Sequence, residues 1–344
     1  MPLNIFCASQ NYRSHAKAAQ AYIDIFESLS SSFLSIVDDP DDADISYLHL
    51  EPDRIRDLLE EVPSLRRTYR IGYCVWEADR LPDSHIEALS MLDEVWTASW
   101  YNWACFSRVH PRVRWIPHVI HGVAQTTPED LIYLRDALRL DLNTFCYLYI
   151  GANLPRKNIK GLVQAFQYVN AREPKTRLII KTGSQDKTCE FRHEGAISYC
   201  TNYLTESQIA GLYTLSGAYV SPHFAEGWGL TITDAMQHQK LCVATAYSGN
   251  MTFMTPANSL LVSYDVSPIA ETDQYHIFTG KMAWAQPHQE SLEHNMLAAL
   301  AQVQSGEATA RIAQATQDLR RFDHKHVRCL VRHRLERIVK RLTR

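Results

Sequence analysis

Short apolar runs recur along this sequence, each followed by a stretch of helical spacing, and they fall into two successive blocks. In the first block they are LNIFCAS from Leu3, Ile45–Leu50, Arg70–Trp76, Asp93–Ser99 and Val113–Ile120. In the second they are Phe145–Ala152, Arg177–Gly183, Gly217–Pro222 and Leu241–Ala246. Runs this short and this evenly apolar suit strands buried on both faces. The segments between them suit helices: from His15 to Leu29, Ala18, Ala19, Tyr22, Ile25, Phe26 and Leu29 repeat at helical spacing. Alternation of this kind gives parallel sheets with helices on each side. A chain of 344 residues outgrows one hydrophobic core, so the two blocks read as two doubly wound α/β domains facing a cleft.

Gly122–Asn143 reads as a polar helix and linker, which puts the domain boundary between residues 143 and 144. Residues 308–344 read as helical. Val327, Leu330, Val331, Leu335, Ile338 and Leu342 form one apolar stripe, and Arg328, Arg332, Arg334, Arg337, Lys340, Arg341 and Arg344 occupy the other faces. Two roles suit that segment. It can close the fold by packing its stripe on the N-terminal domain, or it can meet anionic lipid head groups as a peripheral membrane contact.

Several function classes are excluded by composition. The net charge of −3 argues against a dedicated nucleic-acid binder. The eight cysteines are scattered with no CxxC pair, which argues against zinc or iron–sulfur ligation and fits a reducing cytoplasm. Cys74, Cys146 and Cys242 lie in apolar runs and read as buried thiols. No run approaches the ~20 apolar residues of a membrane span, and MPLNIFCASQ lacks the pattern of a signal peptide. Asp42-Ala43-Asp44 reads as part of a charged loop between strands. His110, His118 and His121 lack metal-ligand spacing, and no metal site is expected.

The chemistry is concentrated in AEGWGLTITDAM, from Ala225 to Met236. A strand ending at Ser221-Pro222 enters a glycine-containing turn and then a helix. Glycine lets backbone N–H groups approach a ligand closely, and a helix N-terminus offers unpaired donors and the positive end of its dipole, which suits phosphate. Glu226 lies in the turn, and Asp234, eight residues on, lies one turn into the helix. Upstream, Arg156 and Lys157 stand together on a turn before another helix.

SPHFAEGWGLTITDAMQHQKLCVATAYSGNMTF resembles the donor-binding signature of retaining GT-B glycosyltransferases of the family 4 type, the glycosyl transferases group 1. The family's E-x7-E spacing holds, with Asp234 in place of the second Glu, and Ser248-Gly249-Asn250 matches its Gly-Asn turn. YIGANLPRKNIKGLVQAF resembles its R-K-N motif. KMAWAQPHQESLEHNM resembles its W-x-x-P-D segment, with His288 where Asp is common. YRIGYCVWEADRLPDSHIEALSMLDEVWTASWYNWACF resembles the acceptor-domain signature of a subset of these enzymes. The first loop, ASQNYRS, departs from the glycine-rich form that many members carry, and Ala152-Asn153 replaces an arginine after Gly151.

The resemblance implies a GT-B fold: an acceptor-binding Rossmann-like domain over 1–143, closed by a helix over 323–344 that crosses back, and a donor-binding domain over 144–322. It implies transfer of a hexose-type sugar from a nucleotide-diphosphate-sugar to a glycan, lipid-linked or protein acceptor, with retention and without a metal or other cofactor. Glu226 would lie near the sugar hydroxyls. Gly227, Trp228 and Gly229 would bind the sugar through backbone N–H groups, and Leu230 and Thr231 would meet the distal phosphates. Asp234 would contact the ribose, Arg156 and Lys157 the diphosphate, and Tyr203 and Leu204 the base. Glu77 stands where the wider family often has a catalytic-site histidine, and reads as an acceptor-side polar residue or as a salt-bridged loop acid. Trp96, Trp100, Tyr101, Trp103 and Phe106 read as core and rim or as an acceptor-sugar platform. A catalytically silent GT-B module acting as a binding or partner protein is the alternative. A nicotinamide-dependent dehydrogenase is disfavoured, because no G-x-G-x-x-G follows the first strand.

Overall fold

The computed structural model describes residues 1–7, 13–30, 33–183, 191–201 and 203–344, without the side chains of 13–15; Cys189 and the loop ASQNYRS fall outside this description in whole or in large part. Two compact units emerge. The first is Met1–His121 with Arg320–Arg344, and the second is Gly122–Leu319.

The first unit holds β1 (Pro2–Cys7), β2 (Ser35–Ile36), β3 (Ile45–His49), β4 (Tyr69–Tyr73), β5 (Glu94–Thr97) and β6 (Val113–Trp115). They form one sheet in the order β2-β1-β3-β4-β5-β6, with every pairing parallel. All five residues of β3 are buried, as expected for a strand covered on both faces.

The chain returns to this unit at its end. Residues 308–344 do not form one helix. Helix Ala308–Leu319 belongs to the second unit, the chain turns at Arg320–Phe322, and helix His324–Leu342 packs in the first. The break has a local cause: Asp323 sits in an extended conformation and its carboxylate accepts from His326 N, so it caps a new helix. Val327, Val331, Leu335 and Ile338 form the buried stripe, whereas Leu330 and Leu342 are exposed and drop out of it.

Arg334 was placed among the outward-facing cations by its spacing, but it points inward. Its Nε donates to Glu94 Oε1 at 2.6 Å and its Nη2 contacts Glu94 Oε2. Glu94 is wholly buried, and also accepts from Trp96 Nε1 at 2.7 Å and Tyr69 Oη at 3.3 Å. Arg328 and Arg332 are engaged as well, with Ser28 and Glu336. A buried carboxylate that loses its main cation costs heavily. Arg334→Ala should therefore lower unfolding stability by about 2–3 kcal/mol, softened by Arg114 at 3.9 Å from Glu94. Urea denaturation beside Arg337→Ala checks this, since Arg337 is exposed and should change little.

The second unit holds β7 (Phe145–Ile150), β8 (Thr176–Lys181), β9 (Phe191–Glu194), β10 (Ile197–Cys200), β11 (Ala218–Ser221), β12 (Leu241–Thr245) and β13 (Leu260–Val262). The sheet order is β13-β12-β11-β7-β8-β10-β9, parallel except for the edge strand β9. A separate antiparallel pair, β14 (Tyr264–Pro268) and β15 (Ala283–Pro287), follows. From β7 the chain winds outward through β8 and β10, then returns to β11 on the other side. The order reverses between β7 and β11, and loops at such a switch point are where open α/β sheets bind ligands.

Residues 122–143 belong here, which moves the expected boundary of 143 back to 121. Helix Pro128–Ala137 is capped by Thr127, buries Leu134, and lies so close to helix Glu206–Leu215 that a Cβ on Gly211 would meet Leu134 at 2.6 Å. It is part of this unit's helical cover, not a linker.

Candidate active site at the switch point

The loops that leave β7 and β11 carry the charged residues, and backbone geometry ties the two loops together. After β7 comes a 3-10 turn, Pro155–Lys157, and then Asn158 at φ 53°, ψ 43°. Asn158 tolerates this left-handed conformation and caps helix Ile159–Arg172, its Oδ1 accepting from Gly161 N at 3.1 Å. Its Nδ2 donates across to Pro222 O at 3.0 Å, and Phe224 N donates to Arg156 O at 2.8 Å. Both contacts cross from one loop to the other, so the turn bearing the cations is fixed against the turn bearing the carboxylate.

The result is a buried ionic triad. Arg156 Nη1 lies 3.2 Å from Glu226 Oε2 and 3.3 Å from Ala225 O, and Lys157 Nζ contacts Glu226 Oε1. The Glu226 side chain is only 9% exposed and each cation 13%. Burial pushes the carboxyl up, but Lys157 and Arg156 outweigh it and hold Glu226 at about 2, so it is ionised at neutral pH.

A second turn supports Glu226 from below. Glu226 N donates to Ser248 Oγ at 2.8 Å, and Gly249 N donates to Glu226 O at 2.9 Å. Gly249 is in contact with the backbone: a Cβ there would lie 2.1 Å from Gly227 O. Only glycine permits this approach.

Gly229 adopts φ 97° and ends the turn at the start of helix Leu230–Gln237, which has no side-chain cap. Its carbonyl accepts from Ile232 N and Thr233 N at 2.9 and 3.2 Å. The Leu230 and Thr231 amides therefore stand at the open, positive end of the helix. Thr231 is held by Tyr219, whose hydroxyl meets Thr231 Oγ1 at 2.8 Å and Ile150 O at 3.0 Å. The Trp228 side chain turns into the core against Phe253, ring centroids 5.0 Å apart.

Arg156, Lys157 and Glu226 are thus brought into direct contact, with Gly227–Thr231 continuing from them. Asp234 lies half-buried in the next helical turn; burial raises the Tyr213 hydroxyl, and the Asp234 charge adds to it. Tyr203 is 74% exposed, whereas Leu204 beside it is buried. Glu77 lies in the first unit, in the loop after β4, its carbonyl accepting from Tyr101 Oη at 3.2 Å. Trp96 and Phe106 are fully buried, which removes them from any sugar platform; Trp100 and Trp103 are exposed, with Trp100 stacked on Trp115 at 4.2 Å. Sequence reasoning missed His223, fully buried three residues before Glu226. The signal was a histidine flanked by Pro222 and Phe224 inside a strand-to-helix turn.

Among the described residues no helix is long and apolar enough to cross a membrane, and none of the described cysteines is in a disulfide.

Two doubly wound units, one with a cationic pair and a helix N-terminus at its switch point, define an α/β protein of the GT-B glycosyltransferase fold. Residues 133–272 match the family model described as Glycosyl transferases group 1. Among curated proteins the chain is similar to O-antigen chain mannosyltransferase B of Escherichia coli, with 35% identity over 97 residues, 26% of this chain; the matched part spans 25% of that protein. Among solved structures, Anabaena HepE in complex with UDP and glucose aligns with a TM-score of 0.68 over 97% of this chain and 99% of that one, at 14% identity. The pneumococcal O-GlcNAc transferase GtfA in complex with UDP and GlcNAc aligns with a TM-score of 0.57 over 86% of this chain and 57% of that one, at 15% identity.

Proposed function

We propose that the chain is a retaining, metal-independent glycosyltransferase that moves a hexose-type sugar from a nucleotide-diphosphate-sugar to an acceptor hydroxyl in glycan or glycolipid assembly. The observation that carries this reading is the triad of Arg156, Lys157 and Glu226 ahead of an uncapped helix N-terminus. The group 1 match spans this site, and HepE and GtfA are each seen with UDP and a sugar.

The chemistry follows from the charges. The bond from C1 to the phosphate oxygen breaks and its electron pair goes to the leaving diphosphate. Arg156 and Lys157 exchange the Glu226 carboxylate for the diphosphate oxygens and stabilise that growing charge, with the Leu230 and Thr231 amides at the helix start. Glu226, released from the cations, accepts hydrogen bonds from the sugar hydroxyls, beside the Gly227, Trp228 and Gly229 amides. The acceptor oxygen attacks C1 from the face the phosphate leaves, and its proton passes to the departing phosphate. Asp234 takes the ribose, and Tyr203 and Leu204 flank the base. Glu77, in the first unit, serves as an acceptor-side polar residue.

Incubation with UDP-, GDP-, ADP- and dTDP-sugars tests this reading. One nucleotide class should release its diphosphate, unaffected by EDTA, with the α-donor giving an α-product by NMR. Asp234→Ala should raise KM for that donor about tenfold, as expected when a hydrogen bond to a bound ligand is lost. Release from none of the donors, or an inverted product, would contradict it.

A further inference from the structure

His223 is a buried titratable group beside this site to which the proposed chemistry gives no part, and its hydrogen bonds place a proton on Nε2. Asn250 is fully buried, and its side chain lies 2.9 Å from Thr245 O. A backbone carbonyl only accepts, so the Asn250 Nδ2 group faces Thr245 and Oδ1 faces the other way. Oδ1 lies 3.1 Å from His223 Nε2, and Tyr247 O lies 3.4 Å from the same nitrogen. Both are acceptors, so Nε2 carries the proton. His223 Nδ1 lies 3.0 Å from Ser221 Oγ, a hydroxyl that donates to it when the ring is neutral. Burial opposes a charge on the ring, which leaves the neutral Nε2–H tautomer with both nitrogens used.

The residues held by this ring lead back to Glu226. Ser248, at φ 73° and ψ −142°, is in a strained conformation for a non-glycine residue, and its Oγ receives Glu226 N. Asn250 closes the same turn, while the Gly249 amide holds Glu226 O. We propose, resting on the donor-site reading, that His223 is a positioning residue. Its Nε2–H holds Asn250, and through the Ser248–Asn250 turn it sets where the Glu226 backbone and carboxylate stand against Arg156 and Lys157. Burial opposes a charge on the ring and Lys157 adds to that, while Glu226 favours the charge. A protonated ring would lose its Nδ1 acceptor and would compete with the cations for Glu226.

Two variants separate positioning from simple packing. In His223→Gln the amide nitrogen reaches where Nε2 stands and can still donate to Asn250. In His223→Asn it reaches only as far as Nδ1. With UDP and GDP as probes, the Gln variant should keep the wild-type thermal shift, and the Asn variant should bind about tenfold more weakly, the loss of one hydrogen bond's hold. Melting without nucleotide should agree between the two variants within a few degrees. In 15N-histidine-labelled wild type, the resonance missing from both variants should show a proton on Nε2 alone at pH 6. Equal binding by both variants, or a proton on Nδ1 at pH 6, would overturn the proposal. Absence of any shift in wild type would instead count against the donor-site reading, and a proton on Nδ1 would still overturn this one.

Discussion

Glu226→Ala should drop sugar transfer by about 10²–10³-fold while nucleoside diphosphate binding holds or tightens. The two effects separate because Glu226 occupies the cations when no donor is bound. With it removed, Arg156 and Lys157 face an incoming diphosphate without an internal rival, but the sugar has lost its hydroxyl acceptor. The same variant carries a stability signature. Glu226 is held at about 2 against an ordinary value of 4.5, so its contribution is fully present above about pH 4.5 and is lost as the pH falls toward 2. The destabilisation by Glu226→Ala should therefore be on the order of 3 kcal/mol at pH 7 and shrink to roughly half or less at pH 3. Urea denaturation at the two pH values checks the stability arm, and titration calorimetry with the diphosphate checks the binding arm. A variant that binds the diphosphate more weakly in step with lost transfer would place Glu226 on the phosphates, not the sugar.

Gly249→Ala should remove nucleotide binding and destabilise the fold by about 3 kcal/mol. The added methyl would sit 2.1 Å from Gly227 O, 2.3 Å from Gly227 C and 2.7 Å from Glu226 O. All three atoms are main chain, so no side-chain rotation relieves the overlap. Either the Ser248–Asn250 turn or the Glu226–Gly229 turn must move, and the Gly249 N to Glu226 O bond breaks with it. Gly306→Ala is the control: its φ is 83°, which strains an alanine, but nothing lies within 4 Å of a Cβ built there. It should cost only the conformational strain, about 1 kcal/mol, and leave nucleotide binding intact. Equal binding by wild type and Gly249→Ala would mean that the two turns are not coupled.

The central strands were legible because each is a continuous apolar run buried on both faces, β7 and β12 being the plainest cases. β9, FRHE, escaped notice because it is an edge strand with polar, exposed positions, and such a strand has no hydrophobic period to read. Helix Pro128–Ala137 looked like a linker because it buries only Leu134. Arg334 looked like a surface cation because spacing alone cannot show that Glu94 lies beneath it. At the site, the glycine turn, Glu226, Arg156 and Lys157 could be read from local chemistry. The ion pairs between them span about seventy residues of sequence, and the tautomer of His223 depends on Asn250, 27 residues away. Contacts of that range are set by strand order, which places β7 beside β11, and not by any local pattern.

The central claim is that Arg156 and Lys157 hold the diphosphate of a nucleotide donor. Thermal shift with UDP, GDP, ADP, CDP and dTDP, each set beside its own monophosphate, tests it directly, because a ligand that binds only the folded state must raise its melting temperature. One diphosphate should stabilise the wild type clearly more than its own monophosphate, and Lys157→Ala should erase most of that difference. No shift with any nucleotide, or an equal diphosphate preference in Lys157→Ala, would contradict the account.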